Sequence, residues 1–177
     1  MIDYRREDYM ENTTWIYILV IIVVLSAILK FTNVLSYTII KNKVLKSRKW
    51  DLNICCGKTD GGGINADIVK HTETNKFLLL ESIYDIPLEN ASLDYVFSSH
   101  TIEHIDDPKD FYRELERVGK HITILVPPLW DITAAFNFLE HKWIFLTFKT
   151  RHTKLPKFIK LPLSGWYQRK FGQKIKA

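Results

Sequence analysis

The stretch that decides the fold is Ile-Pro-Leu-Glu-Asn-Ala-Ser-Leu-Asp-Tyr-Val-Phe-Ser-Ser-His-Thr-Ile-Glu-His-Ile-Asp-Asp-Pro, residues 86–108. Its middle, residues 92–98, is a short apolar run that predicts a β-strand. Its end predicts a helix over residues 107–118, because proline suits the first helical turn. Apolar side chains then recur at spacings of four and three, at Phe111, Leu115 and Val118.

Four more short apolar runs surround this stretch and predict further strands, at residues 51–55, 64–68, 76–80 and 121–126. Short apolar strands that alternate with connections are typical of a parallel sheet covered by helices. We therefore predict an α/β fold over residues 49–131, Rossmann-like, with a mostly parallel sheet of about five strands. The segment is compact, so several crossovers must be short or irregular.

A glycine-bearing turn and an acidic residue occur where such a sheet binds ligands, at the carboxyl ends of its strands. Gly57 and Gly61–Gly63 follow the first predicted strand, and Asp67 ends the second. A glycine turn lets the backbone approach a ligand closely, and the carboxylate can bond two ribose hydroxyls. Glycine loops are usually only turns, so the spacing alone leaves both interpretations open.

Two segments resemble class I S-adenosylmethionine-dependent methyltransferases of the small type 11 group. Residues 52–58, Leu-Asn-Ile-Cys-Cys-Gly-Lys, are similar to the family's L-D-x-G-C-G-x. Residues 86–108 are similar to L-P-F-x-D-x-S-F-D-x-V-x-S-x-x-x-x-E-H-x-x-D-P, and residues 113–118 to R-E-L-x-R-V. The resemblance covers roughly residues 50–130 and implies that S-adenosyl-L-methionine is the cofactor.

The resemblance also implies roles for single residues. The turn after the first strand would lie against the amino-acid part of the cofactor, Asp67 would hold the ribose hydroxyls, and residues 81–83 would flank the adenine. Residues 98–100 would border the methyl-transfer pocket. The implied cofactor-binding set is Cys55, Cys56, Gly57, Asp67, Glu81, Ser82, Ile83, Ser98 and Ser99.

Three residues depart from the family pattern. Asn53 stands where an aspartate is usual, Cys55 where a glycine is usual, and Ser82 where an aspartate normally meets the adenine amine. These departures concern affinity for the cofactor more than they concern the fold.

His100, Glu103 and His104 form a separate cluster of candidates. On a helix, positions i, i+3 and i+4 share one face, so two imidazoles and a carboxylate would bind a divalent metal or supply a general base. Glu-His is common in the family without a metal. We therefore predict His100 and His104 as catalytic candidates and no metal.

An uncharged, strongly apolar run from Asn12 to Leu29 is long enough to cross a bilayer. Basic residues follow it between Lys30 and Lys49, and such residues stay on the cytoplasmic side. The mixed charges before the run and the missing cleavage site disfavour a signal peptide, and few core helices are apolar on every face. We predict an extracytoplasmic segment 1–11, a transmembrane helix 12–29 and a basic interfacial helix or linker 30–48, so that the protein is single-pass with a cytoplasmic domain.

The net charge of +5 is concentrated in the C-terminal region. Between Lys142 and Ala177 there are ten lysines or arginines, no acidic residues and several interleaved aromatic residues. Such segments bind anionic membrane surfaces or nucleic acid, and the apolar anchor favours anionic lipid headgroups over nucleic acid. We predict a helix over 132–140 and a membrane-associating tail to residue 177. Pro156 and Pro162 argue against a regular strand pair there; a solvated basic tail is the alternative.

The sequence thus predicts a membrane-anchored methyltransferase that acts on a lipid-borne or hydrophobic acceptor at the cytoplasmic face. Methyl transfer needs mainly alignment of the acceptor with an activated donor, so the lack of an obvious catalytic dyad does not exclude an enzyme. The competing hypothesis is a catalytically inactive, methyltransferase-like scaffold in the membrane. Homo-oligomerisation is left open.

Overall fold

The computed structural model describes residues 4–171, with side chains from Thr13 onward. Residues 1–3 of the predicted N-terminal segment and residues 172–177 of the predicted tail lie outside the described residues. Eight strands and five α-helices are present in the described part. The strands are β1 Leu52–Ile54, β2 Ile64–Asp67, β3 Phe77–Leu79, β4 Leu93–Ser99, β5 Gly119–Leu125, β6 Trp143–Phe145, β7 Arg151–His152 and β8 Phe158–Lys160.

The central sheet has the strand order β3-β2-β1-β4-β5-β7. The first five strands are parallel and β7 pairs antiparallel with β5. This confirms the predicted mostly parallel, Rossmann-like sheet. The reversal of strand order at β1 and β4 opens a crevice at the carboxyl ends of the strands, which is where sheets of this kind bind ligands.

The C-terminal strands correct two expectations. The sheet has six strands instead of about five, because β7 adds an edge strand. Strands β6 and β8 form an antiparallel pair in the region where the prolines argued against one. Both prolines are compatible with the pair because Pro156 and Pro162 lie just outside β8, where no ladder hydrogen bond is lost.

The helices are α1 Tyr4–Val34, α2 Lys41–Leu45, α3 Pro108–Val118, α4 Ile132–Ala135 and α5 Ser164–Phe171, with a π-helical segment Leu35–Ile40 between α1 and α2. The helix predicted over 107–118 is confirmed, with Asp107 as its N-cap. The helix predicted over 132–140 ends early, at Ala135. The chain must turn there, because Lys142 and Trp143 donate backbone hydrogen bonds to the carbonyl of Glu103.

The sheet is covered differently on its two faces. One face packs against α3 in a core that contains Leu52, Val96 and Leu115. The opposite face is covered in part by the end of the N-terminal helix: Val44 and Leu45 pack with Trp50, Phe97 and Leu125. The N-terminal helix therefore supplies part of the domain's own core and occupies a place that a crossover helix usually fills.

The N-terminal helix also runs far beyond the domain. The stretch Thr13–Leu45 is 33 residues long and is apolar enough to cross a membrane, and none of its most apolar 18-residue window is buried. Length and composition alone do not separate a membrane anchor from a signal sequence or from a helix of a soluble protein.

A buried carboxylate joins the long helix to the domain. Asp131 is fully buried and accepts hydrogen bonds from Ser36 Oγ and, at 3.4 Å, from Asn33 Nδ2. Its other oxygen caps α4 by accepting from Thr133 Oγ1 at 2.8 Å and from the Ala134 amide at 3.2 Å. One side chain thus fixes both the start of α4 and the docking of the helix.

We predict that Asp131→Ala loosens the helix from the domain. The substitution removes a cap and leaves the partners of Asp131 without an acceptor, which together cost about 3 kcal/mol of the free energy of unfolding. Asp107→Ala is the matched control, since Asp107 caps α3 at an exposed site without contacting the long helix. Trypsin cleavage between Lys46 and Lys49 should accelerate only in Asp131→Ala; equal rates in both variants would contradict this role of Asp131.

Candidate functional site

A cavity of about 840 Å³ lies at the carboxyl ends of the parallel strands. This volume is within the usual range for small-molecule and cofactor sites. Six of the residues predicted for the site line its wall: Cys55, Gly57, Asp67, Ile83, His100 and His104.

Asp67 organises the end of the cavity near β1 and β2. Its Oδ2 accepts from the Gly57 amide at 2.9 Å and its Oδ1 accepts from the Ile68 amide at 2.8 Å. Each carboxylate oxygen keeps a second acceptor position, and the residue lines the cavity. Gly57 has a φ of +55°, and a Cβ at this position would meet no atom within 4 Å, so the turn leaves open space beside Asp67.

The departure at Asn53 has a structural explanation. The buried Asn53 Nδ2 donates to the Thr59 carbonyl at 3.2 Å and to Asn65 Oδ1 at 3.1 Å. Asn65 Oδ1 also accepts from the Gly61 amide at 2.9 Å. The glycine loop is therefore held by an amide donor, a role that a carboxylate cannot perform.

The departure at Cys55 places a residue with a side chain in a backbone conformation that favours glycine. Cys55 has a φ of +52°, in the left-handed region that favours glycine. Burial, followed by the charge of Asp67, raises the pKa of the Cys55 thiol, so the thiol is neutral. The side chain lines the cavity as a small apolar group.

Four of the nine predicted cofactor-binding residues line the cavity and five do not. Ile83 is fully buried on the wall, whereas Glu81 is exposed and Ser82 Oγ accepts from the Tyr84 amide at 3.1 Å. The remaining three are buried and absent from the lining among the described residues: Cys56, Ser98 and Ser99. The structure thus brings together part of the predicted set.

The far end of the cavity is built by segments that sequence reasoning did not assign to it. The loop after α4 and the first turns of α5 supply Leu139, Glu140, Lys142, Gly165, Gln168 and Arg169. The basic and aromatic composition of the C-terminal region was the signal available, and it indicated a membrane contact but gave no position at the cavity.

Residues 100–106 form turns instead of the helix that the metal hypothesis assumed. His100 follows β4 with a φ of +52° and is buried. Its ring stacks on Tyr37 of the long helix, with centroids 3.8 Å apart. His104, in contrast, is partly exposed on the cavity wall, and its Nδ1 lies 3.0 Å from the Glu140 carbonyl oxygen. A carbonyl only accepts, so His104 Nδ1 carries the proton and donates it.

Glu103 is a fully buried carboxylate among imidazoles. Its Oε1 lies 3.3 Å from His100 Nδ1 and 4.0 Å from His104 Nε2, but neither Glu103 oxygen has a hydrogen-bond partner among the described residues. Burial raises the pKa of this carboxyl, but His100, His104 and His141 outweigh burial and lower it to about 2. Burial lowers the pKa of His141 to about 4, against the attraction of Glu103. Near neutral pH, Glu103 is therefore charged and His141 is neutral.

The family-like motif at residues 113–118 has a structural role. Glu114 Oε1 accepts from the Ile86 amide at 2.6 Å. Arg117 pairs with Glu114 and donates to the carbonyl oxygens of Ile86, at 2.7 Å, and Leu88, at 2.9 Å. These contacts fasten residues 86–90 to α3, and neither Glu114 nor Arg117 lines the cavity.

Comparison with known proteins supports the resemblance found in the sequence. Residues 63–126 match a family described as a methyltransferase domain. The match contains Asp67 and the whole 86–108 stretch, and it confirms the resemblance to methyltransferases there. The turn at residues 55–57 lies outside it. None of the curated proteins compared with the chain matches it.

Solved structures of methyltransferases are among the similar folds. A methyltransferase of Haloferax volcanii, in complex with the Trm112 methyltransferase activator, is 16% identical over 55% of this chain and 55% of that chain, with a TM-score of 0.40. A SAM-dependent methyltransferase from Aquifex aeolicus is 20% identical over 56% of this chain and 71% of its own, with a TM-score of 0.38. The PH0226 protein from Pyrococcus horikoshii is 14% identical over 80% and 81%, with a TM-score of 0.43. The chain thus spans about half the length of the first of these structures.

We predict that Asn53→Asp destabilises the glycine loop. A carboxylate at this position would face Asn65 Oδ1 and the Thr59 carbonyl without a donor, a loss of about 2 kcal/mol or more of unfolding free energy. Asn90→Asp is the control, because Asn90 Oδ1 accepts from Arg117 at 2.8 Å on the surface and an aspartate keeps that bond. Denaturant unfolding in detergent measures both variants; an unchanged Asn53→Asp midpoint would contradict the loop-holding role.

Proposed function

We propose that this protein is an S-adenosylmethionine-dependent methyltransferase held at a membrane surface, with a lipid-borne or hydrophobic acceptor. The observation that supports it most directly is the cavity at the carboxyl ends of the parallel strands, with Asp67 on its wall inside the segment that matches a methyltransferase domain. The catalytically inactive scaffold is the competing function, and cofactor binding separates the two.

The residues at the β1–β2 end fit the cofactor. Open space beside Gly57 admits the amino-acid part, the free acceptor positions of Asp67 suit two ribose hydroxyls, and Ile83 offers an apolar wall to the adenine. When bound, the cofactor supplies an activated methyl group on a sulfonium. The protein then has to hold the acceptor in line with that group and exclude water.

The acceptor would enter from the end built by the C-terminal segments. His104 is the predicted catalytic histidine that is partly exposed at this end, so we place it against the acceptor. His100 is sealed beneath Tyr37, so we infer that His100 positions Glu103 and the turn that follows β4 without touching the acceptor.

The length of the helix supports a location at the membrane surface. The hydrocarbon core is crossed by about 20 residues, which from Thr13 leads to residue 32. Asn33 hydrogen-bonds to Asp131 of the domain directly after that stretch, and the docking residue Ser36 follows one turn later. No free linker separates the span from the domain, so a spanning helix would hold the domain against the headgroups.

The surface near the docking site suits that location. Ile132, Phe136 and Leu139, on and after α4, are exposed by 55%, 43% and 50%. Helix α5, which lines the cavity with Gly165, Gln168 and Arg169, also exposes Trp166, with Lys170 Nζ 5.2 Å from the ring centroid. Apolar and basic residues together suit an anionic membrane surface. The lysines after residue 29 support a cytoplasmic domain.

These features favour an acceptor that is itself embedded in the bilayer, such as a lipid headgroup or a membrane-borne ring. The cavity would open within reach of the interface, and a hydrophobic acceptor would not have to leave the bilayer fully. A homo-oligomer is not needed for this arrangement.

We predict that Asp67→Asn weakens binding of S-adenosylhomocysteine by roughly 10- to 100-fold, because charge-assisted hydrogen bonds are worth about 1.5–3 kcal/mol. Calorimetric titration into the full chain in detergent measures it. Asp94→Asn is the control, since this carboxylate pairs with Lys120 at 2.8 Å outside the cavity lining. Absence of binding to folded wild-type protein would instead favour the scaffold and point to Cys55 as its structural cause.

We predict that the double substitution Ile21→Lys with Val24→Lys removes the chain from membranes after alkaline extraction. Each lysine at the centre of a span costs about 2.5–3.5 kcal/mol of insertion free energy. The control adds the same charge to exposed positions of the domain, Thr72→Lys with Leu79→Lys, and should remain in the membrane pellet. Retention of both variants would contradict anchoring by this helix.

A further inference from the structure

We propose that Glu103, His104 and His141 bind a zinc ion at the acceptor end of the cavity. The sequence predicted no metal, because Glu-His is common in this family without one, and the cluster it considered was His100, Glu103 and His104. In the folded chain, one ligand atom from each of the three residues lies within 4.8 Å of the other two. The site would be additional to the cofactor site at the β1–β2 end.

The first argument is a buried carboxylate whose oxygens lack hydrogen-bond partners in the described part of the chain, although the His100 imidazole lies 3.3 Å from its Oε1. Both oxygens of the buried Glu103 carboxylate and His141 Nδ1 lack hydrogen-bond partners among the described residues. Buried charges in proteins are normally paired or coordinate metals, because an unpaired one costs several kcal/mol. A divalent cation would satisfy the carboxylate and the imidazoles at once.

The second argument is the tautomer of His104. Its Nδ1 donates to the Glu140 carbonyl, so in the neutral ring Nε2 carries a lone pair. In that tautomer the lone pair faces Glu103 Oε1 across 4.0 Å, and a zinc ion between the two atoms would bond to both. A backbone carbonyl that fixes the remote nitrogen is also the usual outer-shell partner of a metal-binding histidine.

The third argument is that the two ligand-bearing segments are fastened together. The Glu103 carbonyl accepts from the amides of Lys142, at 2.7 Å, and Trp143, at 3.3 Å. Trp143 Nε1 donates to the Ile105 carbonyl at 2.9 Å, and Lys142 Nζ lies 2.7 Å from Asp106 Oδ1. This backbone arrangement sets His141 beside Glu103 before any ion arrives.

The donor set selects the metal. Two imidazoles and one carboxylate are the ligands of several zinc sites that keep one coordination position open. Zinc bonds of about 2.0–2.1 Å place tetrahedral ligand atoms about 3.3 Å apart, so the side chains would close slightly around the ion. Because His104 lines the cavity, the open position would face it and suit an oxygen atom of a bound molecule.

Zinc binding is measured on the untagged full chain in detergent, without cofactor, by competition with a chromophoric chelator. We expect one zinc ion per chain, and visible absorption bands of four-coordinate cobalt when Co²⁺ replaces it. Glu103→Gln and His141→Asn should each weaken binding by at least ~100-fold, which is above the 10- to 100-fold typical of outer-shell changes. Near-ultraviolet circular dichroism establishes whether each variant is folded. If only one of the two variants folds, its zinc affinity alone is enough to test the proposal.

Two control variants test whether zinc binding is specific to the proposed ligands. His121→Asn changes an exposed histidine that stacks on Tyr95, outside the cluster, and should bind zinc like the wild type. Cys55→Ser with Cys56→Ser should also bind normally, which excludes the thiols as ligands. The proposal is overturned if the wild-type chain binds well below one zinc ion per chain. It is also overturned if zinc binding survives the substitution of Glu103 or His141. Cofactor titration is a separate measurement, so failure here leaves the methyltransferase proposal standing.

Discussion

The buried carboxylate of Asp131 is the contact on which the arrangement of the whole chain depends. One of its oxygens accepts hydrogen bonds from Ser36 and Asn33 of the long helix, and the other oxygen caps the first turn of α4. The loop after α4 then carries His141 to Glu103 and Leu139 to the cavity wall. A change at this carboxylate would therefore reach both the long helix and the end of the cavity built by the C-terminal segments, although Asp131 is not itself part of the cavity lining.

The 86–108 stretch made the fold predictable because its residues cap a helix, form a strand and hold a loop in place. Pro108 and Asp107 begin α3, Glu114 and Arg117 hold the preceding loop, and the apolar residues of β4 lie in the sheet. These roles depend on local hydrogen bonds and on periodicity, which a sequence displays directly. The same reasoning located Asp67 and Gly57, because parallel strands bring their carboxyl ends to one edge.

The end of the cavity built by the C-terminal segments could not be predicted for a related reason. Leu139 and Lys142 reach the cavity from a loop, which has no periodic pattern, and Gln168 and Arg169 reach it from the short helix α5. Pro156 and Pro162 pointed away from a strand pair because sequence does not reveal where a strand of three residues stops. Tyr37, on a helix that composition assigned to a membrane interface, gave no sign that it would stack on His100.

The stack of Tyr37 on His100 is one of several contacts that join the long helix to the domain. Val44 and Leu45 cover Phe97 and Trp50 on one face of the sheet, and Tyr37 covers His100 at the carboxyl end of β4. A domain that began at residue 49 would expose this apolar face and uncover a buried histidine beside the charged Glu103. The helix is thus a structural part of the site as well as a candidate anchor, so the position of the site relative to a membrane would be fixed by packing and not by a flexible tether.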